Sequence, residues 1–132
     1  MLEQIVPSRL PHEWETIGPA LAPAIALDPS RDGWTVLDNA LSGHWQFWRV
    51  GGSQRGYIVT ERLNGCLWLI YAAGNGARLT DKRNLMRMLE QIGRESGCSE
   101  VRFEGRDWRK VFPDYDAHKG ADGRWHYLKR IG

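Results

Sequence analysis

Apolar positions along the chain recur first at helical spacing and then at strand spacing. The segment QIV, residues 4–6, reads as a short strand stopped by Pro7. In PHEWETIGPALAPAIALD, Trp14, Ile17, Leu21 and Ile25 fall at three- and four-residue steps, the stripe of an amphipathic helix. Pro19 and Pro23 each remove an amide donor inside it, which predicts a kink or two short helices. SRDGWTVLDNALSG is a second helix with a Trp34, Leu37 and Leu41 stripe, and Gly43 is placed to end it. The period then shortens. HWQFWRV, RGYIVTERL and CLWLIYAA predict three strands over 44–50, 56–62 and 66–72. Asn64-Gly65 between the second and third is a strong hairpin signal. The third run is apolar almost throughout, as in a central strand buried on both faces.

TDKRNLMRMLEQIGRESG is the clearest helix, with Leu85, Met88, Leu89 and Ile92 on one face and Gly97 ending it. SEVRFEG reads as a strand, RDWRKVF as a short helix stopped by Pro113, and RWHYLKRI as a last strand after the turn GADG. A strand–helix–strand crossover joins CLWLIYAA to EVRFEG, which makes those two strands parallel neighbours. The expected fold class is α/β: a mixed, mostly antiparallel sheet flanked by helices, in the order β-α-α-β-β-β-α-β-α-β. No linker or repeat interrupts the pattern, so residues 1–132 are expected to form a single domain.

Composition changes this picture little. Apolar residues make up 42% and charged residues 26%, and the formal net charge is +2, the profile of a soluble globular domain. Charge is unevenly placed. Residues 1–77 hold five Lys/Arg against seven Asp/Glu, and residues 78–132 hold thirteen against nine. The N-terminal stretch lacks the basic start and apolar run of a secretory signal, and no apolar run is long enough to span a membrane. Cys66 and Cys98 sit in apolar contexts and are expected to be buried free thiols. His12, His44, His118 and His126 show no ligand spacing, so no metal is expected. Ser42, Ser53 and Ser99 have no nucleophile-elbow setting. Arg106, Trp108, Arg109 and Lys110 gather cations around an aromatic ring within five residues, a candidate interaction patch. The spacing of Trp108, Val111 and Phe112 favours instead a short helix that buries these three and leaves the charges in water.

This element order resembles the GNAT N-acetyltransferase fold over nearly the whole chain. A looser likeness, carried by Trp45, Phe47, Trp48, Val59, Thr60, Gly97, Cys98, Gly105, Arg106 and Trp108, is to small GNAT-like proteins of tailed phages and prophages. The GNAT resemblance implies a diphosphate-binding loop between the central strand and the next helix, of pattern [RQ]-x-x-G-x-[GA]. The matching place is Gly74, Asn75, Gly76 and Ala77, where a helix start offers free amide donors. Tyr71 stands where the pattern has Arg or Gln. The resemblance also implies a tyrosine acid after the next strand, and that position is Lys110, with Tyr115 nearby. With both motifs altered, the expectation is a non-catalytic GNAT-like phage or prophage protein without a cofactor. It would act through protein–protein contacts with phage structural proteins, in the host cytoplasm or on a virion, with self-association left open. The alternative is an acetyl-CoA-dependent N-acyltransferase using Gly74 to Ala77. Nucleic-acid binding ranks third, and no membrane partner is expected.

Overall fold

The computed structural model describes residues 2–26, 33–51, 56–74 and 79–132. The elements run β1 (Leu2–Ile5), α1 (Leu10–Ile25), α2 (Gly33–Leu41), β2 (Trp45–Val50), β3 (Gly56–Leu63), β4 (Cys66–Gly74), α3 (Leu79–Glu95), β5 (Glu100–Gly105), β6 (Asp116–Lys119) and β7 (Trp125–Arg130). The strands form a seven-stranded sheet in the order β1-β2-β3-β4-β5-β7-β6. β4 and β5 run parallel, as the crossover predicts, and β1–β2, β2–β3, β5–β7 and β6–β7 run antiparallel. The fold is mixed α/β with a mostly antiparallel sheet. By contact density the chain divides into two compact units. One comprises Met1–Glu61 with Tyr71–Gly76, the other Arg62–Ile70 with Ala77–Gly132.

In the first unit, α1 is one continuous helix rather than a broken pair. Pro19 and Pro23 both lie on its exposed side, as do Glu15 and Pro19, whose carbonyls lose their amide partners. Those carbonyls can bond water, which removes the main reason for a break. The opposite side buries Leu10, Ile17 and Leu21, and Trp14 packs on Phe47 with ring centroids 6.0 Å apart. Arg49 of β2 pairs with Glu13 of α1 and, at 3.7 Å, with Glu3 of β1. The buried stripe of α2 is Val36, Leu37 and Ala40, and the predicted member Leu41 is 45% exposed. The side chain of Trp34 lies outside the described residues. Gly43, at φ +81°, ends α2 as expected. Trp45 and Trp48, on opposite faces of β2, are both buried. Trp48 Nε1 donates to Thr60 Oγ1 at 3.0 Å, and Thr60 Oγ1 donates to Gln46 Oε1 at 3.1 Å.

In the second unit, Asn64 and Gly65 both take positive φ, 53° and 74°, the conformation of the tightest hairpin turn. α3 ends in a Schellman motif: Cys98 N donates to Gly93 O at 2.8 Å and Gly97 N to Arg94 O at 3.1 Å, with Gly97 at φ +78°. The buried face of α3 carries Met86, Leu89 and Glu90, rotated from the predicted stripe, and Leu85, Met88 and Ile92 are only half-buried. Gly93 is small for a reason, because a Cβ there would lie 2.7 Å from Ile131 Cδ1.

One element differs in kind. The predicted helix RDWRKVF is a single turn closed by Phe112 N bonding Trp108 O at 2.9 Å, and a strand, β6, follows it. Pro113 has no amide donor and disfavours helical backbone at Phe112, so the turn is not extended. Tyr127 Oη accepts from Trp108 N, and Asp107 Oδ1 accepts from Arg109 N at 3.2 Å. Phe112 is buried while Trp108 and Val111 are half-buried, so the apolar spacing was a partial guide to burial and a poor guide to conformation.

Candidate functional site

Three features of the second unit bear on chemistry. The first is where the β4–β5 ladder stops. Its rungs are Cys66↔Glu100, Leu67↔Val101, Trp68↔Arg102 and Leu69↔Phe103. Ile70 and Glu104, next along, form no rung, although β4 extends to Gly74 and β5 to Gly105. β5 stays paired on its other side, Glu104 with His126 and Gly105 with Trp125.

The second feature is a buried polar network behind the segment that follows β5. Glu90, 5% exposed on α3, receives a hydrogen bond from Tyr115 Oη at 2.9 Å and one from Lys129 Nζ at 2.9 Å. Lys129 also donates to Asp114 at 2.6 Å. Burial, then the charge of Glu90, pushes the Tyr115 phenol far above its usual range. Burial works against the charge on Lys129, yet its bonds to Asp114 and Glu90 prevail and raise its pKa. The same Lys129 bond holds the Asp114 carboxyl below its usual range. Tyr115 is therefore committed to Glu90 and is not poised to protonate a leaving group. Lys110, at the other position considered for an acid, is exposed.

The third feature is a cationic and aromatic surface. Arg106 Cζ lies 4.2 Å from the Trp108 ring centroid, and Lys82 Nζ, from the first turns of α3, lies 4.6 Å from the same centroid. Arg83 Nε donates to Val111 O at 3.2 Å and ties α3 to this segment. The predicted patch is thus divided. Arg106 and Trp108 stay together and gain Lys82. Arg109 turns to the Trp125 ring at 4.0 Å and to Asp107, whose carboxyl its hydrogen bonds hold down at about 2. Beneath, Phe103 stacks on Tyr127 at 4.6 Å and meets Phe112 and Tyr115 edge-on at 5.5 and 5.3 Å. The convergence of Lys82 on Trp108 was not readable from spacing, since the two are brought together only by the crossover.

Of the predicted phosphate loop, Gly74 is the last residue of β4, and Asn75, Gly76 and Ala77 lie outside the described residues. α3 begins at Leu79, the right side of that loop for a helix start. In the first unit, Glu61 pairs across the strands with Trp45 and accepts its indole N–H at 3.0 Å. Cys66 and Cys98 are free and buried, and burial pushes the Cys66 thiol up to about 11, where it is protonated and unreactive. His118 and His126 stack at 5.2 Å. Among the described residues no group of three or more His, Cys, Asp or Glu is placed to hold a metal ion, and no helix is long and apolar enough to cross a membrane.

No protein-family profile and no curated protein matches the sequence. Solved structures do match the fold. The aminoglycoside 6'-N-acetyltransferase from Enterococcus faecium is similar with TM-score 0.74 at 10% identity, over 100% of this chain and 97% of that one. The PaiA N-acetyltransferase from Thermoplasma acidophilum, solved in complex with coenzyme A, is similar with TM-score 0.65 at 12% identity, over 98% of each chain. The ribosomal-protein-S18-alanine N-acetyltransferase from Escherichia coli is similar with TM-score 0.67 at 14% identity, over 100% of this chain and 94% of that one. The fold is the GNAT fold. These likenesses correct the expectation of a non-catalytic assembly protein without a cofactor. These three structures are of acetyltransferases, one of them in complex with coenzyme A. That expectation rested on two altered side-chain positions, Tyr71 and Lys110. The likeness is one of backbone path, which neither side-chain position alters.

Proposed function

We propose that this chain is an acyl-CoA-dependent N-acyltransferase that moves an acetyl group from acetyl-CoA to an amine. The observation that carries the reading is the end-to-end likeness of the fold to solved acetyltransferases, one of them in complex with coenzyme A. The pantetheine arm of acetyl-CoA is an extended chain with two amides, and such a chain is recognised by pairing with an open strand edge. The loop Gly74, Asn75, Gly76 and Ala77, followed by the start of α3, is the proposed seat of the diphosphate. Small residues permit close backbone approach there, and the helix start supplies amide donors and the positive end of its dipole.

Acetyl-CoA, when bound, supplies the activated thioester. The amine nitrogen bonds to the thioester carbonyl carbon, the carbon–sulfur bond breaks, and the thiolate leaves with the bonding pair. The nitrogen gives up a proton and the thiolate gains one. Tyr115 is too deeply committed to Glu90 to be that donor. Its part is positional: with Glu90, Lys129 and Asp114 it fixes the segment after β5 against α3.

The test is thiol release from acetyl-CoA with a panel of primary amines, including aminoglycosides and peptide α-amines, with amide formation checked by mass. Amine-dependent thiol release with a matching acetylated product supports the reading. No release with any amine, together with no calorimetric binding of acetyl-CoA at millimolar concentration, overturns it.

A further inference from the structure

We infer that the outer face of α3 is a docking surface for the phosphate backbone of a nucleic-acid double helix. The inference goes beyond acyl transfer and does not rest on it. Arg83, Arg87 and Arg94 are all exposed. At about 100° per residue they fall within about 40° of one another around the helix, in a row about 16 Å long. None of the three makes an ion pair with a carboxylate among the described residues. The neighbouring carboxylates are bound elsewhere. Asp114 accepts from Lys129 at 2.6 Å, Glu90 from Tyr115 and Lys129 at 2.9 Å each, and Glu95 from Gln91 at 3.1 Å. Like charges in a row repel, and a line of anions laid along them removes that cost.

Two of the guanidinium groups are also held in place. Arg83 Nε donates to Val111 O at 3.2 Å, and Arg94 Nε donates to Ile131 O at 3.1 Å. A backbone carbonyl carries no net charge, so these bonds fix the groups without neutralising them. The Nη groups are left for a phosphate, which arginine binds as a fork. The helix beneath is anchored, with Met86, Leu89 and Glu90 buried on its inner side. The row itself carries no aromatic ring, and unpaired bases are held by stacking on such rings. The chemistry therefore fits paired strands, met at their phosphates and not at their bases.

The experiment is fluorescence anisotropy on the full chain with a labelled DNA duplex of about 20 base pairs, between about 50 and 200 mM salt. Wild type should bind at about 1–100 µM in low salt, and log K should fall against log salt with a slope of about −3, the value for three neutralised phosphates. Arg87→Glu should weaken binding by about tenfold, and Arg87→Lys, which keeps the charge, should retain most of it. Arg83→Gln and Arg94→Gln should each make the slope shallower by about one. Arg9→Glu changes the net charge as much as Arg87→Glu does but lies in the first unit, and should leave binding within about twofold. Equal losses in Arg9→Glu and Arg87→Glu overturn the docking surface, because net charge alone then explains the binding. Binding indifferent to salt, or a single strand held more tightly than the duplex, also overturns it. So does failure of wild type to bind the duplex, and poly-glutamate bound in its place would assign the face to an acidic protein. Thiol release from acetyl-CoA enters none of these outcomes, so the acyltransferase reading stands or falls separately.

Discussion

The two compact units each bury a polar group, and they satisfy it in opposite ways. In the first, Thr60 is fully buried and joins Trp48 and Gln46 in a chain of neutral hydrogen bonds drawn from adjoining strands. In the second, Glu90 is almost as deeply buried but is met by a lysine 39 residues away and a tyrosine 25 residues away. A neutral network costs little desolvation and is indifferent to pH. A charged one costs more to bury, holds distant segments in register, and titrates. The difference places the electrostatic sensitivity of this protein in the unit that carries α3 and the segment after β5.

The largest effect expected is from Phe103→Ala, which removes the ring that stacks on Tyr127 and meets Phe112 and Tyr115. Urea unfolding should show a loss of about 3–5 kcal/mol. Next is a matched pair that tests the contrast. Glu90→Gln keeps an acceptor but leaves Lys129 without its buried counter-charge, for a loss of about 2–3 kcal/mol. Thr60→Val breaks only the neutral chain, for about 1–2 kcal/mol. Equal costs for the two would erase the distinction between the units.

The pH response sharpens it. Both Tyr115 and Lys129 have folded pKa values raised above their ordinary ones, 10.0 and 10.5. Above about pH 10 the unfolded chain therefore releases protons that the folded chain keeps, so stability is full below that point and falls as pH rises. Asp114 acts in the other direction: its lowered pKa contributes stability that is lost as pH falls below the ordinary carboxylate range. Denaturation midpoints between pH 8 and 11 should decline in wild type and decline less in Tyr115→Phe. An equal decline in both would remove the phenol from this role. The smallest effect is local. Gly65→Ala places a side chain at φ +74° and should cost about 1 kcal/mol, read as a small fall in Tm.

The strand meander, the Asn64-Gly65 turn, the crossover and the Gly97 helix end were legible in the sequence because each rests on a local constraint. Period two demands a half-buried strand, and positive φ demands Gly or Asn. Glu90 was not legible. A glutamate on an amphipathic helix reads as solvent-facing, and only its distant partners make burial affordable. Of the segment from Arg106 to Phe112 the burial of Phe112 was legible but the single turn was not, because Pro113 stops it before a helix is made. Of the site the sequence singled out, Gly74 to Ala77, residues 75–77 lie outside the described residues, and the side-chain motifs around it pointed away from acyl transfer. The likeness that points toward it is one of backbone path, which no residue pattern announces.

The end of the β4–β5 ladder at Leu69↔Phe103 is the most direct point of attack. Amide hydrogen exchange should be measured along β4 with and without acetyl-CoA. Amides of Cys66 to Leu69, inside the ladder, should be protected in both states, and within Ile70 to Gly74 the amides that do not face β3 should gain protection when acetyl-CoA is present. Exchange past Leu69 that is unchanged by saturating acetyl-CoA contradicts the reading of this strand edge as the donor site.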